Sequence, residues 1–489
     1  MAENEKKNKR NALREMDLTT GNLFWKIPLF ALPMAVTTIL QLLYTTVDLW
    51  TVSHYGGGSN SMSAVGSNSA LINLIITVFV GMSLGANVTI ANAKGANDPE
   101  RASRSLHTSM ILAVVSGVFV GVIGFFLAPY LLELMDTPEH IISLASQYLK
   151  IYFVGLPFLM VYNYASQILR ALGDSRRPLF ILIISGAVNI LFDPFFVIVF
   201  HLDVAGVAWA TVISEAVSAI LGVWVLARNK NGFIRFSFKK LKVDRQALKE
   251  IIQIGLPAGI QGLAFNIPNV LIQANLYTIT QEGVSIDDIV AGAAAAAQIE
   301  GYIYALVEAF DAACVSMTGQ NYGAGKKENL RKGFWYSLIW EAISCGLSAI
   351  IILLWSDPLI KVFLGNDETT NVANAVAAGR ERIYIVGLTY FLDGVMAVCA
   401  GYLRGMKHST TPAVVTLIGC TGSRILFLYT LFRLPYFHTI TWLYAAFPIS
   451  WILVDLAYIP ITIIIEKKAF ARIDARTPSP EAQIENPAK

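Results

Sequence analysis

The octapeptide KIYFVGLP, residues 150–157, returns 232 residues later as RIYIVGLT, residues 382–389. The segments that follow also correspond, since QILRALGDSRRP at 167–178 matches GYLRGMKHSTTP at 401–412 with an offset of 234. The pair Leu32-Pro33 is echoed by Leu256-Pro257 at an offset of 224. Offsets this similar, along most of the chain, indicate that its second half duplicates its first.

The repeated unit is strongly apolar. Of the 489 residues, 55% are hydrophobic and 15% are charged, whereas soluble proteins are roughly 45–50% apolar and about 25% charged. The apolar residues fall into blocks long enough to cross a bilayer, which takes about 20 helical residues. We predict twelve spans, at 27–51, 62–91, 105–133, 142–171, 177–200, 205–227, 249–279, 286–318, 333–364, 373–404, 411–434 and 440–466.

Twelve spans and one duplication predict an all-α integral membrane protein built from two six-helix bundles. Because six is an even number, both copies enter the membrane in the same direction, and a pseudo-two-fold axis along the membrane normal should relate them. The predicted parts are a cytosolic tail at 1–26, a bundle at 27–227, a basic cytosolic linker at 228–248, a second bundle at 249–466 and a cytosolic tail at 467–489.

Basic residues set the orientation, because Lys and Arg are retained in cytoplasmic loops. The two tails, the linker and every second loop hold 31 of the 37 basic residues, while alternate loops such as HLDVAG hold almost none. We therefore expect a multi-pass protein of the plasma (inner) membrane with both termini in the cytoplasm. The net charge of +3 reflects this topology and does not indicate nucleic-acid binding.

A six-plus-six duplication is typical of secondary transporters, which rock one half against the other around a midplane site. The segment GQNYGAGKK from Gly319 departs from a phosphate-binding loop, with Ala324 in place of the second glycine and Lys327 in place of Ser or Thr. ATP is therefore not expected to drive the protein, and we expect no cofactor and no enzymatic activity.

The stretch SGAVNILFDPFFVIVF, residues 185–200, places polar groups in a predicted span. A charge at bilayer depth costs at least about 2.5–3.5 kcal/mol and usually marks an ion or substrate pathway. Asn189 and Asp193 share a helical face, and Pro194 lacks the N–H that would bond the carbonyl of Ile190. An oxygen-rich notch should result.

Two other spans offer matching groups, Asp48 in span 1 and Thr211 with Glu215 in span 6. Two carboxylates in one poorly hydrated site repel each other, which raises the pKa of one of them, so that this one can bind a proton reversibly. The same oxygens also suit Na⁺, since hard cations prefer oxygen ligands. The alternatives are that Asp193 caps a broken helix and that Asp48 marks a membrane boundary.

Together these segments resemble the multidrug and toxic compound extrusion (MATE) family. The resemblance covers essentially all twelve spans and rests on VDLWTVSHYG, VNILFDP, GVAWATVISE, LRALGDSRRP with its echo LRGMKHSTTP, and GQNYGAG. It implies a V-shaped pair of six-helix bundles that exports small organic cations in exchange for H⁺ or Na⁺. We expect such a protein to work as a monomer in the lipid bilayer.

The resemblance also implies roles for particular residues. In the prokaryotic branch with its cation site in the first bundle, two Asp, an Asn and a Thr hold the coupling ion, and these match Asp48, Asn189, Asp193 and Thr211. Pro33 matches the proline at which span 1 bends, and Pro194 is our second helix-bending candidate.

A second branch uses an acid on span 7 and an acid on span 10. Asp393 matches the latter, but Phe265 stands where the former would be, which puts a complete second-bundle site in doubt. We predict Asp393, Glu215 and Glu300 as substrate-cavity residues; the alternative is that such acids pair with a base such as Arg382 or Arg424.

Two other functions stay open. A flippase of lipid-linked oligosaccharides, from a related transporter class, would need a strongly cationic central cavity, yet Lys150 and Arg424 are the bases that the sequence places firmly within spans. A polytopic membrane enzyme would need histidines and acids at one interface, and the six histidines are scattered along the chain.

Overall fold

The computed structural model describes residues 15–135, 137–229, 232–279, 283–364 and 371–475. Within these ranges, twelve helices have the length and composition to cross a membrane. They are Leu23–Tyr55, Asn60–Gly95, Pro99–Leu134, Glu139–Ala171, Arg176–Val199, Asp203–Ala227, Arg245–Leu276, Ile286–Gly323, Lys327–Phe363, Val372–Gly405, Thr410–Arg433 and Ile440–Asp474, and they are spans 1 to 12 below. The all-α class and the number of spans are confirmed. Of the two predicted tails, residues 1–14 and 476–489 lie outside the described residues.

Most helices extend beyond the predicted apolar segments. Span 9 begins at Lys327 instead of residue 333, and span 12 ends at Asp474 instead of residue 466. Hydropathy marks only the part of a helix that suits hydrocarbon, whereas the helix itself continues into water, where Lys and Glu are good helix formers. The differences are thus charged extensions of correctly predicted spans.

Four of the described spans contain a local break in the α-helix, and in span 9 the break is a kink at Trp355, whose φ of −132° and ψ of 20° are not helical. The α-helix of span 5 ends at Pro194 and continues as a π-helical turn over Phe195–Val199, because proline cannot donate the next backbone hydrogen bond. Span 10 is divided by a 3₁₀ turn at Gly387–Thr389, and span 11 contains a π turn at Leu417–Gly422. Spans 5 and 11, which the duplication pairs, thus both carry a π turn.

The chain divides into two compact units. Among the described residues, the first unit comprises 15–17, 28–94 and those between 98 and 266, and the second comprises 18–27, 95–97 and those between 267 and 475. Span 7 is shared, since its residues up to Asn266 belong to the first unit and the rest to the second. The bundle boundaries predicted from the sequence stay a prediction.

The first unit has two apolar clusters. One gathers side chains from spans 1 to 6, including Val52, Leu71, Leu149 and Val204. The other joins spans 2 to 6 to the linker, whose Ile234 and Phe236 are buried in it. The linker is therefore part of the folded core of this unit.

Close helix contacts in the first unit depend on small residues. A Cβ added to Gly81 of span 2 would lie 2.3 Å from the Cα of Gly259 in span 7. One turn further, a Cβ on Gly85 would lie 2.1 Å from the carbonyl oxygen of Ile251. Small residues allow such backbone approach in lipid, so an alanine at either position would force these two helices apart.

The second unit packs around spans 8 and 10. A Cβ on Gly292 of span 8 would lie 2.0 Å from the carbonyl oxygen of Ala375 in span 10. An apolar cluster of side chains such as Ile303, Ile352 and Ile383 lies beside this contact. The short segment before span 1 also belongs to this unit, since the N–H of Leu18 donates to Oε1 of Gln320 over 3.1 Å.

Candidate cation-coupling site

Spans 1, 5 and 6 bring four predicted site residues together in the first unit. The carboxyl group of Asp48 lies close enough to Asp193, Asn189 and Thr211 for side-chain hydrogen bonding. The Asn189 amide also donates to Oδ1 of Asp193 over 3.5 Å, as expected for residues one turn apart. Residues separated by up to 163 positions in sequence thus form one cluster of oxygen-bearing side chains.

The two carboxyl groups of this cluster have only part of their hydrogen-bonding capacity filled. Asp193 is fully buried, and one buried oxygen of each acid, Oδ1 of Asp48 and Oδ2 of Asp193, has no hydrogen-bond partner within the described part of the chain. Leaving a buried polar atom unsatisfied costs about 1–3 kcal/mol, and more if it is charged. A proton or a metal cation at this position would remove that cost.

Thr211 contributes a hydroxyl acceptor. Its Oγ1 donates to the carbonyl oxygen of Val207 over 3.0 Å, which occupies the hydroxyl proton and leaves the oxygen lone pairs for a ligand. Two carboxylates, an amide and a hydroxyl form a donor set that suits Na⁺. Among the described residues, no group of three or more His, Cys, Asp or Glu side chains could hold a metal ion, so any ion at this site needs Asn189 and Thr211 as well.

Glu215 lies beside this cluster, within electrostatic range of Asp48. Its carboxylate packs against Gly155 of span 4, where an added Cβ would lie 2.6 Å from Oε2 of Glu215. That oxygen also has no hydrogen-bond partner in the described ranges. The predicted cavity residue Glu215 is therefore a third acid next to Asp48 and Asp193.

Tyrosines form the wall of the site, and the sequence argument missed them. Tyr148 and Tyr152 of span 4 stack with ring centroids 6.3 Å apart, within electrostatic range of Asp48 and Glu215. Tyr44 lies one turn before Asp48, and its ring covers Gly186, where an added Cβ would lie 1.9 Å from Cζ. The i, i+4 spacing of tyrosine with tyrosine and of tyrosine with aspartate was the available signal.

The two helix-bending candidates sit in spans 1 and 5. The hydroxyl of Thr37 donates to the carbonyl oxygen of Pro33 over 2.7 Å, an i−4 contact that tends to bend helices. Pro194 directly precedes the π turn of span 5. Both prolines therefore weaken the backbone ladder of a span that carries a site carboxylate.

The second unit places its acids beside arginines. Arg382 holds Glu300 through two hydrogen bonds, 2.9 Å from Nε to Oε1 and 2.8 Å from Nη2 to Oε2, and both side chains are buried. Arg404 donates from Nη1 to Oδ2 of Asp311 over 2.8 Å. The cavity candidate Glu300 is thus neutralised by a bidentate partner, the alternative that the sequence left open.

Asp393 is buried and lies within electrostatic range of Arg424. The guanidinium of Arg424 donates from Nε to the hydroxyl of Ser450 over 2.8 Å and from Nη1 to Oδ1 of Asn269 over 3.1 Å. It also lies 4.3 Å from the ring centroid of Phe447. Asp393 therefore lies in a region of the second unit that has its own fixed cation.

More bases are buried within spans than the sequence predicted. Besides Arg424, the structure buries Arg382 and Arg404 in span 10, each about 8% exposed. The sequence does not show that an arginine near a span end turns inward to meet an acid on another helix. Since both are paired with carboxylates, they add no unpaired positive charge to the second unit.

Known proteins resemble this chain in sequence. The family model named MatE matches residues 33–195 and 283–430. The probable multidrug resistance protein YpnP of Bacillus subtilis is 28% identical over 408 residues, covering 83% of this chain and 88% of that protein. The probable multidrug resistance protein NorM of Thermotoga maritima is 28% identical over 407 residues, covering 81% and 82%.

Solved structures share the fold. The crystal structure of MATE in complex with MaL6 superposes with a TM-score of 0.83 at 20% sequence identity, covering 92% of this chain and 98% of that one. The two chains thus share their fold, and at this identity the likeness concerns the fold alone.

Proposed function

This chain belongs to the MatE family, and we propose that it is a secondary active exporter that couples the outward movement of organic cations to the inward movement of H⁺ or Na⁺ at Asp48, Asn189, Asp193 and Thr211. It is a multi-pass membrane transporter whose relatives include multidrug resistance proteins. We further propose that it acts as a monomer in the plasma membrane, with both termini in the cytoplasm, without a bound cofactor and without an enzymatic reaction.

One observation carries this proposal. Asp48 and Asp193 meet in the first unit, each with a buried oxygen that lacks a hydrogen-bond partner within the described residues. No lysine or arginine in the described ranges forms an ion pair with either acid, and the groups that influence them are other acids, an amide and a hydroxyl. A mobile cation is the remaining way to balance the pair, because a buried charge must be paired or neutralised.

The proposed cycle is alternating access. A coupling cation enters from outside and neutralises Asp48 and Asp193, which removes the repulsion between them. Spans 1, 5 and 6 then repack, with Pro33 and Pro194 as the points where their backbone ladders are weakest. The repacked form releases the exported cation, and loss of the coupling ion to the cytoplasm restores the negative site for the next substrate molecule.

The energetics limit the stoichiometry. The membrane potential supplies about 2.3 kcal/mol per charge and 100 mV. The inward movement of one cation therefore makes this energy available for the outward movement of a neutral substrate. One-for-one exchange against a monovalent cation is electroneutral, so it depends on the chemical gradient of the coupling ion alone.

The paired arginines of the second unit favour an exporter over a flippase of lipid-linked oligosaccharides. A pyrophosphate group needs several unpaired cations, whereas Arg382 and Arg404 are occupied by Glu300 and Asp311 and the remaining buried arginine described, Arg424, lies within electrostatic range of Asp393. The acids of the first unit instead give negative charge lined by tyrosine rings, which suits an organic cation.

The test is efflux of ethidium from proteoliposomes under an imposed pH gradient or an imposed Na⁺ gradient. We expect one gradient to drive efflux in the wild type and Asp193→Asn and Asp48→Asn each to abolish it. Asp287→Asn is the matched control, since it removes an exposed carboxylate at the start of span 8, and it should transport like the wild type. Gradient-driven efflux that survives both site substitutions would make the Asp48–Asp193 pair structural and Asp393 the next residue to test.

A further inference from the structure

The linker before span 7 carries a basic surface pocket that the export cycle does not use. It has a volume of about 460 Å³, within the range of roughly 300–1,000 Å³ for small-molecule sites. Three basic side chains line it, from Arg104, Arg235 and Lys240, against one acid, Glu100. The pocket lies wholly in the first unit and carries a net positive charge.

The backbone around this pocket is held in place by the core. Phe236 is buried and stacks on the ring of His107 with centroids 5.5 Å apart. The N–H of Ser237 donates to Nε2 of His107 over 3.1 Å, and the N–H of Asp244 donates to Oγ1 of Thr108 over 3.0 Å. The linker is thus fastened to span 3 on both sides of Lys240.

The basic groups keep most of their donors for a ligand. Arg235 uses Nε to bond the carbonyl oxygen of Ala227 over 2.7 Å, which fixes its guanidinium at the end of span 6. The nearest acid to Arg104 is Asp244, 3.7 Å from its Nε and only partly buried. Lys240 forms no ion pair with any residue that the structure describes.

The position of Arg104 on span 3 shows which surface the pocket faces. Val115 and Val122 follow Arg104 by 11 and 18 residues, which are about three and five full turns. Both side chains are more than half exposed, as is Phe126 one turn beyond. An apolar stripe exposed on a membrane helix faces lipid, so Arg104 stands at the end of the lipid-facing stripe.

Exposed aromatic side chains lie next to basic residues of the linker and of the end of span 6. Phe238 is 71% exposed, directly before Lys239 and Lys240, and its ring packs edge-on against Phe236 at 5.0 Å. Trp224 near the end of span 6 is exposed, with the guanidinium of Arg228 4.8 Å from its ring centroid. Exposed aromatic rings next to basic groups are typical of the membrane–water interface.

We propose that the pocket of Arg104, Arg235 and Lys240 binds the phosphate headgroup of an anionic phospholipid, with the Phe238 ring among the upper parts of the acyl chains. Three basic groups outnumber the one acid of the pocket lining, so the pocket attracts the negative charge of the phosphate. The lipid-facing stripe below Arg104 gives the acyl chains apolar surface, which a free phosphate could not use. On the orientation proposed above, the lipid belongs to the cytoplasmic leaflet.

The test is native mass spectrometry of the full-length protein with palmitoyl-oleoyl phosphatidylglycerol or palmitoyl-oleoyl phosphatidylcholine. We expect the wild type to retain phosphatidylglycerol at least tenfold more tightly than phosphatidylcholine. Arg104→Gln/Arg235→Gln/Lys240→Gln should weaken phosphatidylglycerol binding about tenfold or more. The control Lys467→Gln/Lys468→Gln, which removes exposed charges at the end of span 12, should bind like the wild type.

Two further arms make the outcome decisive. Phe238→Ser keeps every charge of the pocket and should weaken lipid retention severalfold, so it tests the site if the triple variant does not fold. Glycerol 3-phosphate should not displace the lipid. Equal binding of both lipids, unchanged binding in the triple variant and in Phe238→Ser, or displacement by glycerol 3-phosphate would each overturn the proposal. Because binding is read without transport, failure of the export proposal would leave this result unaffected.

Discussion

The acids of the two units are balanced in different ways. In the first unit, Asp48, Asp193 and Glu215 lie together, and no lysine or arginine of the described residues forms an ion pair with them. In the second unit, Glu300 and Asp311 are each held by an arginine. A fixed guanidinium supplies a permanent counter-charge, since arginine stays protonated in proteins, whereas a cluster of acids alone depends on what it binds.

This difference assigns the two halves of a duplicated chain different work. In the second unit, Glu300 and Asp311 have a fixed counter-charge, whereas Glu341 accepts a hydrogen bond from the thiol of Cys345 over 3.1 Å and Asp393 lies within electrostatic range of Arg424. Under the proposed coupling, the charge of the first unit changes whenever a cation enters or leaves. Duplication thus supplied two similar scaffolds, and the placement of arginines separates the one proposed for coupling from the one that is internally balanced.

The largest effect should come from breaking a pair in the second unit. Arg382→Met leaves Glu300 as an uncompensated buried charge, and removing one partner of a buried pair costs about 3–5 kcal/mol. Thermal unfolding in detergent measures this loss. Glu300→Gln/Arg382→Met, which removes both charges, should recover most of the stability. If the double variant unfolds as early as Arg382→Met, the contact does not act as a balanced ion pair.

The next largest effect should come from disturbing the packing of Tyr44 against Gly186 beside the first-unit site. Gly186→Ala places a methyl group where the Tyr44 ring lies, and overpacking of this kind costs about 1–3 kcal/mol. Because Tyr44 precedes Asp48 by one turn, displacement of the ring should shift the carboxylate and slow gradient-driven efflux. Gly186→Ala/Tyr44→Ala should restore part of the efflux. Wild-type efflux and stability in Gly186→Ala alone would contradict the packing described for span 5.

Removing an acid from the first unit should change the free energy of unfolding in the opposite direction from removing a base from the second unit. Asp193→Asn takes away a buried carboxylate that no base pairs within the described residues, so we expect unfolding at the same temperature as the wild type or higher. The gain should not exceed about 1–3 kcal/mol, the cost of an unsatisfied buried group. A loss of several kcal/mol in thermal unfolding would show that Asp193 is structural.

Much of this comparison was predictable from the sequence. Asn189 and Asp193 could be placed on one face from their spacing, and the motif resemblance added Asp48 and Thr211, which the structure brings into the same cluster. The twelve spans and the family were also predicted correctly. Local spacing could not indicate that Arg382 meets Glu300, because these residues are 82 positions apart and lie on different helices. The spacing of Tyr148 and Tyr152 places both rings on one helical face, but it could not indicate that this face meets Asp48, since the sequence of one helix does not specify its neighbour.

The smallest effect lies at a pair of turns that the duplication makes equivalent. Asp174, between spans 4 and 5, corresponds to His408, between spans 10 and 11, at the offset of 234. Burial raises the pKa of Asp174 despite its contact with Arg177 at 2.7 Å. Burial lowers the pKa of His408, as do the nearby Arg472 and Lys468. Nη1 of Arg472 lies 3.3 Å from Nε2 of His408, a geometry that fits a neutral imidazole acting as acceptor.

The two turns should therefore respond to pH in opposite directions. For His408 the unfolded chain binds the proton more readily, so its contribution to stability falls as the pH drops below about 6.5, the ordinary value for histidine. For Asp174 the folded chain binds the proton more readily, so its contribution rises as the pH drops towards about 3.9. Thermal unfolding at pH 7.5 and pH 5.5 should show that His408→Gln loses less stability on acidification than the wild type, by about 0.5 kcal/mol or less. On the same acidification, Asp174→Asn should lose as much stability as the wild type or slightly more, because it lacks the Asp174 carboxyl, whose protonation stabilises the folded chain. A variant of His408 with an unchanged pH response would mean that His408 does not titrate differently in the folded and unfolded chain, and the proposed opposition between the two turns would fail.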